Sequence, residues 1–404
     1  MKIHILDSTL IDKKGHHYEY VKSIFDELVS RDISTSVYCH VKAEKDIREY
    51  FHAILPFTRD IHSLVKPFPK LDKLNLAYNL LSANITYYKD LKKIDLSRVG
   101  NSDIVLVHTI NPNQLFGLYF WYLSIKSINR PFVIVLFRYG IGDNPRMRRN
   151  NTILYRFFFF LILKLKENKV IFSSDSTTLS AEYKKLSGID FFVFPIPHLP
   201  SLPNNTINKK DFLTITYFGD ARVEKGYCFL PYTINDVLSK NNNIRFIIQS
   251  NLSETPSKEI LNAKDQIRFF RDNVTIIDKP LESNEYYHLL SQTDAVLLPY
   301  NPDIYHGRTS GILAEAIAFG KPAIVTKGTW LEQQVLEYNQ CGVVMDNFRD
   351  MDLSNAIHKY IANHREYDER AKDASTKWNA FHNAKMYIDM IMESVFAKQS
   401  SEHG

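Results

Sequence analysis

The sequence predicts an α/β protein built from two Rossmann-like, doubly wound domains. Two series of short apolar segments alternate with amphipathic stretches along the chain, which is the pattern of buried parallel strands connected by helices. Residues 198–210, rich in Pro and Asn, separate the two series. A chain of 404 residues is long enough for two complete hydrophobic cores.

The first series begins with a strand–helix–strand unit. Residues 2–6 and 34–39 are predicted strands, and residues 18–29 form the helix between them. Residues 42–93 are predicted to consist mainly of helices and loops. Later strands are expected at residues 104–107, 132–136, 170–173 and 191–197. The opening unit lacks the fingerprint Gly-x-Gly-x-x-Gly, which argues against a nicotinamide oxidoreductase.

The second series predicts a second doubly wound sheet. Its strands are expected at residues 213–218, 244–249, 274–277, 295–298 and 323–325. The expected domains are therefore residues 1–197 and residues 212–379, joined by a linker at residues 198–211.

Residues 294–326 carry the clearest functional signal. The apolar strand 295–298 ends at Pro299 and is followed by a polar loop, residues 300–308. Apolar side chains then recur at helical spacing until residues 320–322, Gly-Lys-Pro, end the helix. The loop therefore brings a helix N-terminus to the carboxyl end of a parallel sheet, which is where open α/β sheets bind their ligands.

The residues at this helix N-terminus suit an anion attached to a diol. Thr309 or Ser310 provides the N-cap hydroxyl, and Gly311 has no side chain to keep a phosphate from the free backbone N–H groups. Arg308 adds a positive charge just before the helix. Glu315 offers a carboxylate that can accept hydrogen bonds from both hydroxyls of a ribose. These groups predict a nucleotide diphosphate carrying a further group; the alternative is a helix that only packs, with Glu315 as a solvated charge.

Two segments resemble one family of enzymes. The segment SGILAEAIAFGKPAIV, residues 310–325, is similar to the C-terminal signature of the retaining group 1 (family four) glycosyltransferases, which have the GT-B fold. The segment ITYFGDARVEKGYCFL, residues 215–230, resembles the family's strand followed by Gly-Arg-x-x-x-x-Lys-Gly. The resemblance is good over residues 212–346 and holds only in outline before them. It implies two Rossmann-like domains that face each other across a cleft, with the final helix, residues 380–404, packing back on the first.

The resemblance implies a site for a nucleotide-diphosphate sugar on the second domain. The family's diphosphate-binding Lys matches Lys225, whereas its Arg falls on Asp220, and the nearest arginine is Arg222. The ribose-binding second Glu of the family's Glu-x7-Glu motif matches Glu315. Lys279 and its neighbours are expected to frame the nucleotide base through backbone groups. The expected donor-binding residues are Gly15, His16, Arg222, Lys225, Lys279, Tyr305, Arg308, Thr309, Ser310, Gly311 and Glu315.

One departure from the family affects the predicted chemistry. The first Glu of the Glu-x7-Glu motif falls on Gly307. In the family this carboxylate lies near the donor sugar and has been discussed as a nucleophile or as a stabiliser of the oxocarbenium-like transition state. Either Asp303 takes over this role, or the reaction relies on the diphosphate and the acceptor alone, or the chain is catalytically weak or inactive.

The first domain supplies the remaining candidates. His108 and Arg138 each follow a predicted strand, and family members often carry a histidine after such a strand, facing the donor sugar. An uncharged His can hydrogen-bond a sugar hydroxyl, and an Arg can hold an anionic sugar or an acceptor phosphate. Gly15, His16 and His17 lie where the family has a Gly-containing loop. The alternative is that His108 and Arg138 are core or surface residues and that His16 and His17 are exposed in a Lys-rich turn.

Composition excludes several other classes. The net charge of +5 comes without a dense Lys/Arg block, so no nucleic-acid partner is expected. The three cysteines have neither zinc nor disulfide spacing, which indicates a reducing, cytoplasmic compartment. Asp350-x-Asp352 matches a metal motif of the other glycosyltransferase fold, but it directly precedes a predicted helix and is expected to complement the helix dipole. We expect no metal site and no cofactor besides the donor substrate.

Residues 146–169 raise the question of whether the protein contacts a membrane. Arg-Met-Arg-Arg precedes an aromatic helix that is broken by Lys164 and Lys166. Such a segment can contact an anionic bilayer, where a lipid-linked acceptor would reside. The favoured alternative is a helix buried under the sheet. No segment reaches transmembrane length, so any membrane contact is expected to be peripheral, at the inner face of the membrane.

The sequence therefore predicts a glycosyltransferase of surface polysaccharide or glycan biosynthesis. It would move a sugar from a nucleotide-diphosphate sugar to a saccharide or lipid-linked saccharide acceptor, with retention at the anomeric carbon. Two alternatives remain. A non-catalytic nucleotide-sugar-binding partner in a glycan-assembly complex is suggested by Gly307, and a nucleotide-sugar epimerase can use the same two-domain layout.

Overall fold

The computed structural model describes residues 1–13, 16–61, 63–68, 70–94, 99–142, 148–166, 168–198 and 211–403. The chain divides into two compact units. Unit 1 comprises Met1–Pro197 and Ala384–Gly404, and unit 2 comprises His198–Asn383. Each unit has its own sheet and its own hydrophobic core.

Unit 1 contains a seven-stranded parallel sheet among its described residues, in the order β3-β2-β1-β4-β5-β6-β7. The strands are β1 (Ile3–Leu6), β2 (Thr35–His40), β3 (Ile54–Phe57), β4 (Ile104–Val107), β5 (Phe132–Phe137), β6 (Val170–Ser174) and β7 (Phe192–Val193). The helices are α1 (His16–Ser30), α2 (Lys45–Phe51), α3 (Asp72–Leu91), α4 (Pro112–Leu123), α5 (Arg148–Leu163), α6 (Thr177–Ser187) and, at the C-terminal end of the chain, α15 (Ala384–His403).

Unit 2 contains a six-stranded parallel sheet in its described part, in the order β10-β9-β8-β11-β12-β13. The strands are β8 (Leu213–Tyr217), β9 (Ile244–Gln249), β10 (Val274–Ile277), β11 (Ala295–Leu298), β12 (Ala323–Thr326) and β13 (Gly342–Met345). The helices are α7 (Leu230–Lys240), α8 (Lys258–Ile267), α9 (Ser283–Gln292), α10 (Pro302–Tyr305), α11 (Gly311–Ala318), α12 (Trp330–Glu337), α13 (Asp350–Ala362) and α14 (His364–Phe381).

The predicted fold class is confirmed: both units are parallel α/β sheets of the doubly wound type. β1, β4, β5, β8 and β11 run through the cores, and nearly all of their side chains are buried. Helices cover the sheets on both sides, which explains why these strands read as continuous apolar runs.

Several local predictions were wrong. Ile54–Phe57 and Gly342–Met345 are edge strands that the sequence analysis did not assign, and the last strand of unit 1 is confined to Phe192–Val193. The predicted loop over residues 300–308 contains a short helix, α10, which begins after Asn301, whose side chain accepts a hydrogen bond from the backbone N–H of Asp303. Ile54–Phe57 has an exposed and a half-buried residue in its first half and contains Pro56, so it lacks the long apolar run of a strand that is buried on both faces.

The topology positions the candidate sites. In each sheet the strand order reverses beside the first strand of the unit, between β1 and β4 in unit 1 and between β8 and β11 in unit 2. Ligands of open α/β sheets bind at the carboxyl ends of the strands at such switch points. None of the described helices is both long and apolar enough to cross a bilayer.

Candidate nucleotide-sugar site

The loop after β8 surrounds Gly219 and Lys225. Gly219 has φ +103°, a conformation that glycine adopts without strain. Its N–H donates a hydrogen bond to Gln249 Oε1 at 2.7 Å, and this ties the loop to the end of β9. A Cβ at Gly219 would stand 3.0 Å from Lys225 Nζ and 3.3 Å from Ile312 Cδ1. Gly219 therefore brings the Lys225 amine close to the first turn of α11.

The loops after β8 and β11 pack directly on each other. Gly226 has φ +71°, and a Cβ there would lie 2.4 Å from the carbonyl oxygen of Pro299. The N–H of Asn301 donates a 2.8 Å hydrogen bond to the carbonyl oxygen of Glu224. This close backbone contact fixes the loop that carries Lys225 against the loop that leads to α11.

The N-terminus of α11 is capped by Ser310, whose Oγ accepts a hydrogen bond from the N–H of Leu313 at 3.3 Å. Of the two predicted cap residues, Ser310 is therefore the N-cap, and Thr309 directly precedes it. Gly311 is the first helical residue, so its N–H is one of the groups that have no partner within the helix. These N–H groups and the positive end of the helix dipole favour an anion at this point.

Positive side chains and tyrosines gather beside this helix end. Lys225 Nζ lies 5.6 Å from the ring centroid of Tyr300, and the Arg308 guanidinium lies 5.2 Å from that of Tyr305. The two tyrosine rings contact each other at 4.5 Å. Burial, together with the neighbouring Arg222 and Arg308, lowers the pKa of Lys225 to about 8 against the opposing effect of Asp220. An anion placed here would relieve the repulsion among these cations.

Arg222 differs from Lys225 in that a carboxylate already holds it. Its Nη2 donates a 2.5 Å hydrogen bond to Asp220 Oδ2, and Asp220 also accepts a hydrogen bond from the Asn251 side chain at 2.8 Å. Asp220 thus occupies the position of the family's arginine and binds the nearest arginine. The Arg222 side chain is 46% exposed, so it can reach a ligand only by leaving or sharing this partner.

Glu315 lies on α11, one turn after the cap. Its Oε1 accepts a 2.9 Å hydrogen bond from the Tyr287 hydroxyl of α9. This contact fixes one carboxylate oxygen, as an acceptor for a diol requires. The site in unit 2 thus combines a half-buried amine, a helix N-terminus and a tethered carboxylate.

Two predicted residues of unit 2 lie in more exposed settings. The Lys279 amine forms a 2.6 Å ion pair with Glu285 in the first turn of α9, while the Lys279 carbonyl oxygen accepts a hydrogen bond from the Gln249 side chain. Asp303 lies in the first turn of α10 with an exposed side chain. Asp350 and Asp352 lie in the first turn of α13, where Asp352 pairs with Arg349.

Unit 1 brings together four polar residues that directly follow adjacent strands. Asp7 follows β1, His108 follows β4, Arg138 follows β5 and Asp175 follows β6. Arg138 Nε donates to Asp175 Oδ2 at 2.9 Å, and Arg138 Nη1 lies 3.3 Å from His108 Nε2. Because an arginine only donates, His108 Nε2 is the acceptor and the imidazole is neutral. Burial agrees with this state, since it lowers the pKa of His108 to about 3 despite the nearby Asp7 carboxylate.

His17, at the beginning of α1, completes this cluster. Its Nδ1 lies 3.1 Å from Asp7 Oδ2, and the Thr9 hydroxyl donates to Asp7 Oδ1 at 2.5 Å. These contacts to His17 and Thr9 hold the pKa of Asp7 well below its usual range even though burial acts in the opposite direction.

Asp7, His17 and His108 also have the spacing of metal ligands. One potential ligand atom from each lies within 4.8 Å of the others. Arg138, however, places a fixed positive charge 3.3 Å from His108 Nε2, which opposes a cation at that nitrogen. The donor set therefore fits a hydrogen-bonded polar cluster better than a metal centre. Gly15 lies outside the described residues, as does the side chain of His16.

Sequence reasoning missed the residues that orient the candidates. Gln249, Tyr287 and Asp7 were not singled out, although Gln249 holds the Gly219 loop, Tyr287 holds Glu315, and Asp7 contacts His17 and lies beside His108. Asp7 directly follows a predicted strand, and this position was the available signal. The partners of Gln249 and Tyr287 are distant in the sequence, so no local pattern marks them.

Comparisons with known proteins give a family match for part of the chain. Residues 202–378, which include every candidate donor residue of unit 2, match the family model described as glycosyl transferases group 1. A search of curated proteins finds no match to the sequence.

Solved structures are similar over almost the whole chain. Sucrose-phosphate synthase from Thermosynechococcus elongatus matches with a TM-score of 0.70 and 12% identity, covering 98% of this chain and 100% of that one. Anabaena HepE in complex with UDP matches with a TM-score of 0.65 and 14% identity over 98% and 100% of the chains. An E. coli trehalose-6-phosphate protein bound with UDP-2-fluoro glucose matches with a TM-score of 0.65 and 9% identity over 98% and 99%.

At these identities the structural likeness establishes the fold, which is the GT-B fold of two parallel α/β units. The family match adds that residues 202–378, which lie in unit 2, are similar to the glycosyl transferases of group 1.

Proposed function

We propose that the protein transfers a glycosyl group from a nucleotide-diphosphate sugar, bound by unit 2, to a saccharide or lipid-linked saccharide acceptor. The observation that carries the proposal is the meeting of Lys225 with the N-terminus of α11. Gly219 lies between the Lys225 amine and the Ile312 side chain, and a Cβ atom on Gly219 would contact both. These residues lie within the family match. Amine, helix dipole and backbone N–H groups are arranged to receive a diphosphate.

The same groups explain how the leaving diphosphate would be stabilised. Negative charge develops on the diphosphate as the glycosidic bond breaks. Lys225, Arg308 and the N–H groups of α11 are held in place beforehand by the two packed loops, so they need no reorganisation as this charge appears. The tethered Glu315 would accept the ribose hydroxyls and fix the nucleotide. This arrangement requires no metal ion.

On the acceptor side, we propose roles for the neutral His108 and for Arg138. A neutral imidazole can exchange a hydrogen bond with a sugar hydroxyl, and the guanidinium can hold an anionic group. Support comes from their positions after β4 and β5, next to the topological switch point of unit 1.

We further propose that the anomeric configuration is retained, on the basis of the group 1 resemblance. We also propose a role in surface polysaccharide or glycan biosynthesis and a cytoplasmic location. The free Cys39, Cys228 and Cys341 are in keeping with a reducing compartment.

Gly307 favours one other function. It stands where the family has a catalytic-site carboxylate, and Asp303, the nearest candidate replacement in the sequence, is exposed. A protein with this donor site and no such carboxylate could bind nucleotide sugars as a non-catalytic partner in glycan assembly.

The proposal is tested by titrating the protein with UDP, GDP and ADP in EDTA. We expect one nucleoside diphosphate to bind clearly more tightly than the others, and Lys225→Ala to weaken that binding at least about tenfold because a charge-assisted contact is lost. Lys258→Ala is the matched control, since Lys258 is an exposed lysine at the beginning of α8 in the same unit. Equal affinity of wild type and Lys225→Ala would refute the diphosphate assignment. The anomeric configuration of any product, determined by NMR, decides between retention and inversion.

A further inference from the structure

Helix α3 of unit 1 buries three asparagine side chains and exposes a stripe of apolar side chains. Asn75, Asn79 and Asn84 are at most 8% exposed. Their amides are satisfied by backbone groups of the preceding segment and of α4; the Asn79 amide, for example, bonds both the N–H and the carbonyl oxygen of Val65. The opposite stripe, at helical spacing, consists of Leu74, Tyr78, Leu81 and Ile85, which are 42–64% exposed. A helix on the surface of a monomeric water-soluble protein normally has the reverse arrangement.

The two helices that follow α3 in this layer also expose apolar side chains. α3 packs on α4, and α4 packs on α5. Phe120 of α4 is exposed, as are Ile153, Phe157 and Phe160, which form a stripe along α5. Phe116 contacts Phe157 with ring centroids 5.9 Å apart, so α4 and α5 join without a polar gap at this point. We call this surface the apolar face; it consists of Leu74, Tyr78, Leu81, Ile85, Phe120, Ile153, Phe157 and Phe160.

The exposed charges on the segments that carry the apolar face are almost all positive. Within residues 61–94 and 112–166, the described part contains eleven exposed Lys and Arg residues and one exposed carboxylate residue, Asp72. The exposed basic residues are Lys66, Lys70, Lys73, Lys89, Lys92, Lys93, Lys126, Arg149, Arg156, Lys164 and Lys166. The whole chain, by contrast, has a net charge of only +5. Lys164 Nζ lies 5.6 Å from the Phe160 ring centroid, so basic and aromatic side chains are interleaved at the edge of the face.

We propose that the apolar face is a docking surface for an anionic lipid bilayer. Its leucine, isoleucine and aromatic side chains would enter the boundary between headgroups and acyl chains, while the surrounding Lys and Arg side chains contact lipid phosphates. The positive charge of the exposed side chains favours an anionic bilayer over a second copy of the protein. A second copy of the same face would bring two sets of basic side chains together and be repelled, whereas an anionic surface neutralises them. The sequence analysis favoured a buried α5; the structure shows that one side of α5 is buried and that the other belongs to this face.

The inference is independent of the proposed function, because vesicle binding is measured without a donor or an acceptor. The full-length protein is mixed with vesicles of phosphatidylcholine alone or with about 30% phosphatidylglycerol, and the bound fraction is measured by flotation. We expect at least about tenfold stronger partitioning into the anionic vesicles, decreasing with added salt. Leu81→Ser combined with Phe157→Ser, and separately Lys73→Glu combined with Arg156→Glu, should each reduce that partitioning at least about tenfold. These side chains are exposed, so folding should be preserved, as thermal melting will show.

Phe269→Ser is the matched control, because Phe269 is 85% exposed but belongs to unit 2. It should bind vesicles as the wild type does. The proposal is wrong if the protein fails to bind anionic vesicles, if both vesicle types bind equally, or if the paired substitutions have no more effect than Phe269→Ser. It is also wrong if light scattering shows a dimer that the Leu81 and Phe157 substitutions dissociate, since a second copy would then cover the face.

Discussion

Lys225 Nζ lies 3.0 Å from the position that a Cβ atom on Gly219 would occupy. The absence of a side chain at Gly219 is therefore what allows the amine to approach the first turn of α11. The φ angle of +103° at Gly219 adds a second reason for glycine at this position. Both the loop conformation and the placement of the cation depend on the same residue.

We predict that Gly219→Ala impairs nucleotide-sugar binding more than it impairs folding. The positive φ should cost about 1–2 kcal/mol of stability, and the added methyl group would displace the Lys225 amine. Gly188→Ala is a suitable control, because Gly188 also has a positive φ, +74°, but nothing lies within 4 Å of its Cβ position. Thermal melting should show similar losses in the two variants, whereas only Gly219→Ala should weaken nucleotide binding. Equal nucleotide affinity in the two variants would contradict this role of Gly219.

The lowered pKa of Lys225 predicts a pH dependence of donor binding. The free protein should lose this proton as the pH rises through about 8, so affinity for a nucleotide sugar should fall above pH 8, approaching tenfold per pH unit. The free energy of unfolding should change in the opposite direction. The unfolded chain keeps the Lys225 proton up to about pH 10.5, so the cost of burying this lysine should decrease as the pH rises from 8 to 10.5. Affinities measured by calorimetry from pH 7 to 9.5 provide the test. Lys225→Arg, which stays charged, should bind with a flatter profile; identical profiles would rule out Lys225 as the titrating group.

Glu315 should contribute to affinity through the ribose. We predict that Glu315→Gln weakens nucleoside diphosphate binding by about 1.5–3 kcal/mol, because hydrogen bonds to a charged acceptor are lost. The variant should also lose the ability to distinguish a ribonucleotide from its 2′-deoxy or 3′-deoxy analogue. Tyr287→Phe removes only the 2.9 Å tether to the carboxylate and should cost about 1 kcal/mol or less. If Glu315→Gln keeps full discrimination between ribo- and deoxynucleotides, the ribose is bound elsewhere.

His108 should make the protein less stable in mild acid. Its pKa is lowered from 6.5 to about 3 by burial, so the unfolded chain takes up a proton below pH 6.5 that the folded chain does not. Stability should therefore decrease as the pH falls from 6.5 towards 4.5, with this histidine contributing up to about 1.4 kcal/mol per pH unit. Urea unfolding of His108→Gln should show a shallower pH dependence over this range than that of the wild type. An unchanged slope would mean that His108 is protonated in the folded protein.

Several strands were predictable from the sequence: β4, β9, β10 and β11 begin and end at the predicted residues. β4 and β11 are buried along their whole length, and a strand buried on both faces is an uninterrupted apolar run that stops at a polar residue or Pro. Ile54–Phe57 was missed because it is an edge strand with Pro56 inside it and Ile54 exposed. The side of helix α3 that faces the core could not be predicted either. Its leucines suggest a buried stripe, and only the hydrogen bonds of Asn75 and Asn79 to residues 65–68 show that the asparagine side faces the core.

The candidate site was predictable in its local parts. A cap hydroxyl, a helix N-terminus and a glycine-flanked lysine are neighbours in sequence, so Ser310, Gly311 and Lys225 could be named from pattern alone. The contacts that orient them join distant segments. Tyr287 reaches Glu315 from another helix, and Gln249 reaches Gly219 from the next strand. In unit 1, Asp7, His108 and Arg138 meet only because their strands are adjacent in the sheet.

The central claim is tested most directly by nucleoside diphosphate release in EDTA, measured over a panel of nucleotide sugars with and without saccharide and lipid-linked acceptors. We predict release that requires an acceptor, persists in EDTA, and falls by a factor equivalent to about 2–4 kcal/mol in Lys225→Ala. Conversion of the donor sugar without an acceptor would contradict transfer and indicate an epimerase. Tight donor binding without release under any condition would also contradict it, and would indicate a non-catalytic binding protein with Gly307 at the position of the missing carboxylate.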